Sequence, residues 1–532
     1  MSNANHNAGG VTRHDSHHDD HHLGSRRKFL RQLGLLTTGT ALLPNSPLQA
    51  LGSSALAQAL LDLPNDRVLV LIRLKGGNDG LNTVVPLYDY ATYRNARPQL
   101  AYREADLLSV SDELALSTDF SDAHGLWQRG SMSIVNGVGY PEPNLSHFRG
   151  TDIITSASDA REVWSSGWLG RHLDRCFPEY LTAPPEAPPA IQIGGGGSLT
   201  FTNDENLSLA VTVSSVEELA KLAETGQVYD LQNLPDCLYG EQLGYLRGIA
   251  NSAFVFAGGI EAAYGRGNTA AEYPAGQLAA QLAVVARLIK GGLGTQLYMV
   301  TLEGFDTHAG QEDSHPLLLQ QLGSSVRAFF DDLSDGGHDQ RVLATTFSEF
   351  GRRIEENASG GTDHGTAAPQ LLFGPSLAGG TIAGEAPTVS SPDVNGNLTF
   401  TTDFRSVYAT LLESWLCVPG DDVDAILGEN FPRLDLGISC TTVGVGSRPA
   451  VIAGVKLTQT SNGWALDFES TGGAYTIEAI DISGRTLAKE RSVLSVGQSR
   501  LSLPLPRTVS GVYAYRLTAP SGASKSGLVP AL

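Results

Sequence analysis

The sequence is poor in cysteine and in positive charge, and beyond its N-terminal region it has no long apolar run. Its four cysteines, Cys176, Cys237, Cys417 and Cys440, are widely spaced and form no CxxC pair. That spacing excludes a thiolate zinc cluster and a dense disulfide framework, and leaves room for one or two disulfides after export. Against 56 acidic residues stand only 36 basic ones, for a formal net charge of −20. Such a chain repels phosphate backbones and anionic headgroups, so nucleic acid is not expected as a partner. No segment past the N-terminal region has about 18 uninterrupted apolar residues, so no transmembrane segment is expected in the mature form.

What is present is a sizeable core. The chain has 532 residues, 41% hydrophobic and 17% charged, enough for one large domain and a smaller one. Residues 67–74, 132–138, 295–302, 341–347 and 370–374 are short apolar runs suited to buried strands. Between them, Gln277 to Lys290 carries Leu278, Leu282, Val285 and Leu288 at helical spacing and stops at Gly291-Gly292; Pro316 to Leu333 has the same rhythm. Strands alternating with helices predict a mostly parallel sheet covered on both faces, a three-layer α/β/α domain over about residues 65–445. The polar, Gly-rich stretch Gly444 to Pro449 reads as a linker. From about 450 to 532 the texture is short alternating strands, Val455–Leu457, Trp464–Phe468, Tyr475–Ile482, Leu501–Leu505 and Val512–Leu517, the pattern of an immunoglobulin-like β-sandwich.

The first 57 residues read as a leader. Ser25-Arg26-Arg27-Lys28-Phe29-Leu30-Arg31, the apolar stretch Leu33 to Leu43 and the A-x-A site Ala55-Leu56-Ala57 together resemble a twin-arginine signal, which implies that export machinery is a partner and that folded cargo leaves the cytoplasm. The tract His14 to His22 is rich in histidine but lies on the part that cleavage discards. At the other end, Ile480-Asp481-Ile482-Ser483-Gly484-Arg485 and Ser510 to Leu517 resemble the sorting module of the type nine secretion system. They imply outer-membrane secretion machinery as a second partner, although Leu528 to Leu532 lacks the usual basic tail.

Chemistry-bearing residues follow the apolar runs. Asp79 lies in Gly76-Gly77-Asn78-Asp79-Gly80, where glycines let the backbone approach a ligand and a carboxylate at a strand end can hold a cation; alone, such a run is more often a turn. Asp306 and His308 are two apart, so in an extended segment they point to the same side. Asp363 and His364 occupy a glycine-flanked loop, where a helix cap plus a surface histidine is the rival reading. Carboxylates and imidazoles placed where parallel strands end converge on one crevice, and that ligand set suits zinc, manganese or a similar divalent ion. Ser146, just beyond the strand ending at Val138, is either a plain N-cap or a hydroxyl that a metal activates for attack. Cys176 begins Cys-Phe-Pro-Glu-Tyr, close to a sulfatase Cys-x-Pro-x-Arg signature but without the arginine, and reads as an ordinary cysteine.

As a set, Leu74 to Asn82, Asn136 to Pro141, Ser146-His147-Phe148, Gly304 to His308, Ser348 to Arg352, Asp363-His364-Gly365 and Asp403 to Tyr408 resemble the bacterial family called domain of unknown function 1501, grouped with alkaline phosphatases and sulfatases. The resemblance spans roughly residues 65–440. It implies a site for two divalent cations, zinc or similar: Asp79, Asp363 and His364 on one, Asp306 and His308 on the other, with Ser146 the candidate nucleophile. No histidine follows His364, so the usual late ligand is absent and His147 is the candidate replacement. The implied activity is hydrolysis of phosphate or sulfate esters, on a small molecule or a polymer. The rival is an exported surface-binding protein that keeps the fold without turnover. If the Ser146 hydroxyl is not the nucleophile, Thr83 or a metal-bound water is next in line.

Overall fold

The structure, a computed structural model, describes residues 66–181, 184–194, 196–213, 229, 238–377, 379–440, 455–460, 463–480, 486–503, 513–518 and 524–529. The twin-arginine segment with Arg26 and Arg27, the linker at 444–449 and much of both sorting-like fragments lie outside them.

Nine strands form the main sheet: β1 Val68–Lys75, β2 Met132–Gly139, β3 Ala190–Ile193, β4 Ala210–Val213, β5 Leu297–Glu303, β6 Val342–Phe347, β7 Ala368–Phe373, β8 Ile382–Ala383 and β9 Thr402–Asp403. Their spatial order is β8-β2-β7-β6-β1-β5-β3-β4, with β9 also on β2. All pairings are parallel except those of β7, which runs against both β2 and β6. The five strands expected from apolar runs are present. Those runs are continuous because both faces of β1 and β6 are buried, as a sheet covered by helices on each side requires. The fold is the three-layer α/β/α arrangement.

The helix Gln277–Lys290 matches its expected span and ends in a Schellman turn. Leu293 N–H donates to Leu288 O (3.2 Å) and Gly292 N–H to Ile289 O (3.1 Å), with Gly292 at φ +71°. The next helix, Gln311–Ser334, begins five residues before the expected Pro316 start. Its extra turn carries Glu312 and Asp313, which suit the positive helix end.

Register fixes the crevice. Lys75 lies level with Glu303, and Arg73 with Phe347, so the segments leaving β1, β5 and β6 emerge at one edge. Because β7 is antiparallel, the residues that precede it, Asp363 and His364 among them, arrive at that same edge.

The C-terminal residues form a separate antiparallel sheet of β10 Lys456–Thr460, β11 Gly463–Ile480, β12 Thr486–Ser502, β13 Tyr513–Thr518 and β14 Ser524–Val529. Trp464–Phe468 and Tyr475–Ile480, expected in two strands, belong to the single long strand β11, and Asp481 and Ile482 lie outside the described residues. A straight strand would put Phe468 and Tyr475 about 23 Å apart at roughly 3.3 Å per residue. Their ring centroids are 5.2 Å apart. The strand therefore folds back on itself, at Gly472 (φ +83°) and Gly473 (φ +105°), and both halves contribute to one small core of Leu466, Phe468, Tyr475, Ile477 and Leu517. The outcome is a sandwich-like module made from a curled sheet.

Candidate metal centre

The crevice is built by close approach of three segments. Gly76 (φ +127°) and Gly77 (φ +88°) turn the chain after β1. A Cβ on Gly76 would meet Asp306 N at 2.3 Å, so only glycine lets these segments touch. The wholly buried Arg352 then ties them together. Its Nε donates to Gly77 O (2.8 Å) and Nη1 to Thr362 O (2.8 Å), while Nη2 reaches Phe305 O (3.0 Å), Asp306 Oδ1 (2.8 Å) and Gly76 O. One guanidinium thus locks the segments that follow β1, β5 and β6.

Three imidazoles surround the Asp306 carboxylate. His147 Nε2 lies 3.4 Å from Asp306 Oδ1, and His308 Nε2 and His364 Nε2 each 3.3 Å from it. His308 Nε2 and His364 Nε2 are 2.9 Å apart. On every ring the other nitrogen faces an acceptor: His147 Nδ1 is 3.0 Å from Glu349 Oε1, His308 Nδ1 is 3.1 Å from Asp363 Oδ1, and His364 Nδ1 is 2.8 Å from Leu145 O. A carbonyl or carboxylate there assigns the proton to Nδ1 and leaves an Nε2 lone pair aimed at the centre. Phe350 packs against His147 and His364, with centroids 5.0 and 4.5 Å away, and backs both rings with an apolar wall.

Electrostatics keep these groups in ligand form. Burial alone would raise the Asp306 carboxyl, but the Arg352 hydrogen bond and charge hold it at about 2. Burial pushes His364 below its ordinary value, and the Arg352 charge adds to this. The Asn357 hydrogen bond holds Asp363 below the usual carboxylate range, with His308 contributing.

The donor set suits a divalent cation. Ligand atoms of His147, Asp306 and His364 all lie within 4.8 Å of one another. A tetrahedral ion with arms of about 2.0–2.1 Å has ligand atoms about 3.3–3.4 Å apart, the separation found between Asp306 Oδ1 and each imidazole nitrogen. Two Nε2 lone pairs facing each other at 2.9 Å repel unless a proton or a metal ion lies between them.

The expected residues divide into three groups. Asp306, His308 and His364 converge, joined by His147. Asp363 stands one step back and holds the His308 ring. Asp79 turns into the core at 1% exposure, where its Oδ2 accepts from Arg97 Nη1 (2.7 Å) and from Gln311 Nε2. Ser146 is exposed at the start of the helix His147–Ser156, and its hydroxyl makes no capping bond. It lies between Leu145, whose carbonyl holds His364, and His147. The Thr83 hydroxyl is buried and donates to Asn78 Oδ1 (3.0 Å) and Asp79 O (2.7 Å). Cys176 ends the helix Trp168–Cys176, its Sγ 3.9 Å from His172 Nε2, and its thiol is free. Cys417 and Cys440 form a disulfide, with Cα atoms 5.2 Å apart.

Sequence reasoning assigned no role to Glu349, Arg352 or Arg97. The first two sit in the Ser348-Glu349-Phe350-Gly351-Arg352 fragment directly after an apolar strand, and two charges at such a place are the signal that was there to read.

Residues 66–433 match the family model described as "Protein of unknown function (DUF1501)". The chain belongs to the DUF1501 family. Solved structures similar to this DUF1501 chain include the PsFucS1 sulfatase from Pseudoalteromonas sp., 9% identical over 86% of this chain and 88% of that one, with a TM-score of 0.31. Another is a protein of the alkaline phosphatase superfamily from Vibrio parahaemolyticus, at 8% identity, 94% and 91% coverage and a TM-score of 0.29. A third is the alkaline phosphatase of the Antarctic bacterium TAB5, at 8% identity, 59% and 94% coverage and a TM-score of 0.24. No curated protein matches the chain. Likenesses this distant assign nothing to the site. Among the described residues no helix is long and apolar enough to cross a membrane.

Proposed function

We propose that this DUF1501 protein is an exported, metal-dependent hydrolase of phosphate or sulfate esters. The observation that carries the reading is the convergence of three Nε2 lone pairs on one ionised carboxylate oxygen, each ring fixed from behind by an acceptor. His147, Asp306 and His364, with His308 beside them, would hold a divalent ion, zinc or similar. Bound there, the ion supplies Lewis acidity to an ester oxygen.

The remaining roles belong to the chain. Arg352 keeps Asp306 ionised and in place; Glu349, Asp363 and the Leu145 carbonyl hold the rings so that no reorganisation is needed when substrate arrives. The centre opens to solvent on the Asp306 side, whose side chain is 51% exposed. At its rim Ser146 offers an exposed hydroxyl at the start of a ten-residue helix, where free N–H groups favour an anionic ester. The paired Arg26 and Arg27 and the Ala55-Leu56-Ala57 site supply the export reading; N-terminal sequencing of the exported form should find a start near Gln58, and an intact leader would refute it.

Elemental analysis of protein purified without chelators, alongside Asp306→Ala and His364→Ala, tests the function. Wild type should retain metal, and each variant should lose it. Retention in both variants rejects the site. Metal held without hydrolysis of a panel of activated aryl phosphates and sulfates would instead favour the surface-binding protein.

A further inference from the structure

The family resemblance implies a second cation with Asp79 among its ligands, and the structure fills that place differently. Asp79 is buried against Arg97, itself 0% exposed, and all three nitrogens of this guanidinium are engaged. Nη1 donates to Asp79 Oδ2 (2.7 Å) and Asn82 Oδ1 (2.8 Å), Nε to Ile354 O (2.7 Å) and Nη2 to Arg353 O (2.7 Å). The Asp79 carboxylate therefore already has a fixed, fully desolvated positive partner. A divalent ion on the same carboxylate would lie within a few ångströms of that charge, in a medium where like charges repel strongly. Asp79 Oδ1 and the nearby His315 Nδ1 are buried without hydrogen-bond partners, but that is two groups where an ion needs at least three. Among the described residues the one group of three metal-type ligands is His147, Asp306 and His364. Asp363, the other carboxylate assigned to that ion, is taken by His308 and Asn357.

The Asp79 pair still reaches the centre, by a relay. Asp79 Oδ2 accepts from Gln311 Nε2, and Gln311 Oε1 accepts from Thr307 Oγ1 (2.9 Å) and Thr362 Oγ1 (2.6 Å). Thr307 lies between Asp306 and His308, and Thr362 precedes Asp363. The Asp79 carboxylate, held by Arg97, thus orients Gln311, and through it the two ligand-bearing segments.

We infer that this protein has a single-ion centre, in which the Arg97 guanidinium stands where a second divalent cation would and serves as a positioning residue. The inference rests on the metal reading above, and zinc stoichiometry separates the two. Full-length chain stripped of metal and dialysed against zinc should hold one ion. Two ions, the second absent from Asp79→Asn, would overturn the inference and leave the metal reading intact, whereas no ion removes both. Because either single change at the buried pair can impair folding, the paired variant Asp79→Asn with Arg97→Gln removes both charges together. It should keep one zinc with affinity within about tenfold of wild type, and loss of that zinc would show Asp79 to be a ligand. Arg97→Gln alone, where it folds, should gain a zinc-dependent rise in melting temperature beyond that of wild type. A folded Arg97→Gln protein with the wild-type response overturns the substitution of guanidinium for cation.

Discussion

Glu349 offers the sharpest test of whether the imidazoles are held for a metal. Its Oε1 accepts from Gly76 N–H at 2.9 Å and from His147 Nδ1 at 3.0 Å, and the side chain is 2% exposed. Glu349→Ala removes the acceptor of both bonds. The His147 ring is then free to turn, and losing the acceptor behind a ligating histidine typically weakens metal binding about 10–100-fold, or roughly 1.4–2.7 kcal/mol. The orphaned Gly76 N–H separately costs about 1–3 kcal/mol of fold stability. The two effects need two measurements: competition against a zinc-binding dye for affinity, and denaturant unfolding of the metal-free protein for stability. If Glu349 acts through His147, the double variant Glu349→Ala with His147→Ala binds zinc no more weakly than His147→Ala alone. A Glu349→Ala protein that is less stable yet binds zinc within about twofold of wild type would show that Glu349 only supports the Gly76 turn.

Ser146→Ala should leave zinc content unchanged and cost less than the roughly 1 kcal/mol of a lost N-cap, because the hydroxyl makes no capping bond. Hydrolysis of an aryl phosphate or sulfate should fall at least about a hundredfold, and turnover retained within a fewfold removes Ser146 from the mechanism. Acid stability should report the Asp79 pair. Burial raises the Asp79 carboxyl, but Arg97, His315 and Gln311 outweigh it and leave the folded value below the ordinary one. A depressed folded value contributes stability that is complete above the unfolded carboxylate range, about 3.9, and is lost as pH falls below it. Denaturant midpoints of wild type should therefore drop more steeply below about pH 4 than those of Asp79→Asn with Arg97→Gln; parallel curves would refute the assignment.

Much of the fold was legible because doubly covered strands leave unbroken apolar runs such as Val68–Lys75 and Val342–Phe347. Strands of four residues, Ala190–Ile193 and Ala210–Val213, carry too little pattern to stand out from loops. In the C-terminal module Gly472-Gly473 reads as a turn between two strands, and it is a bend inside one. Asp306, His308 and His364 were legible because each follows a buried strand in a glycine-rich segment. Arg97 and Glu349 were not, because what defines them is a partner far along the chain: Glu349 meets His147 across 202 residues. Asp79 shows the difference most directly. Its residue type and strand-end position suggest a ligand, and only the fold shows that one of its oxygens is paired with Arg97 while the other, Oδ1, is buried without a hydrogen-bond partner.

Charge balance links the two halves of the reading. Two guanidinium groups bear on the carboxyl groups around the imidazoles, Arg352 on Asp306 and Arg353 on Asp363. Uncompensated charge in a crevice partly shielded from water is costly. A cation at Asp306 meets a half-exposed carboxylate with room for a second partner, whereas at Asp79 it would meet a buried carboxylate already paired with Arg97. Arg352 holds the Asp306 carboxyl low and its oxygen in place, so the group that the imidazoles face is ionised and fixed before any ion arrives.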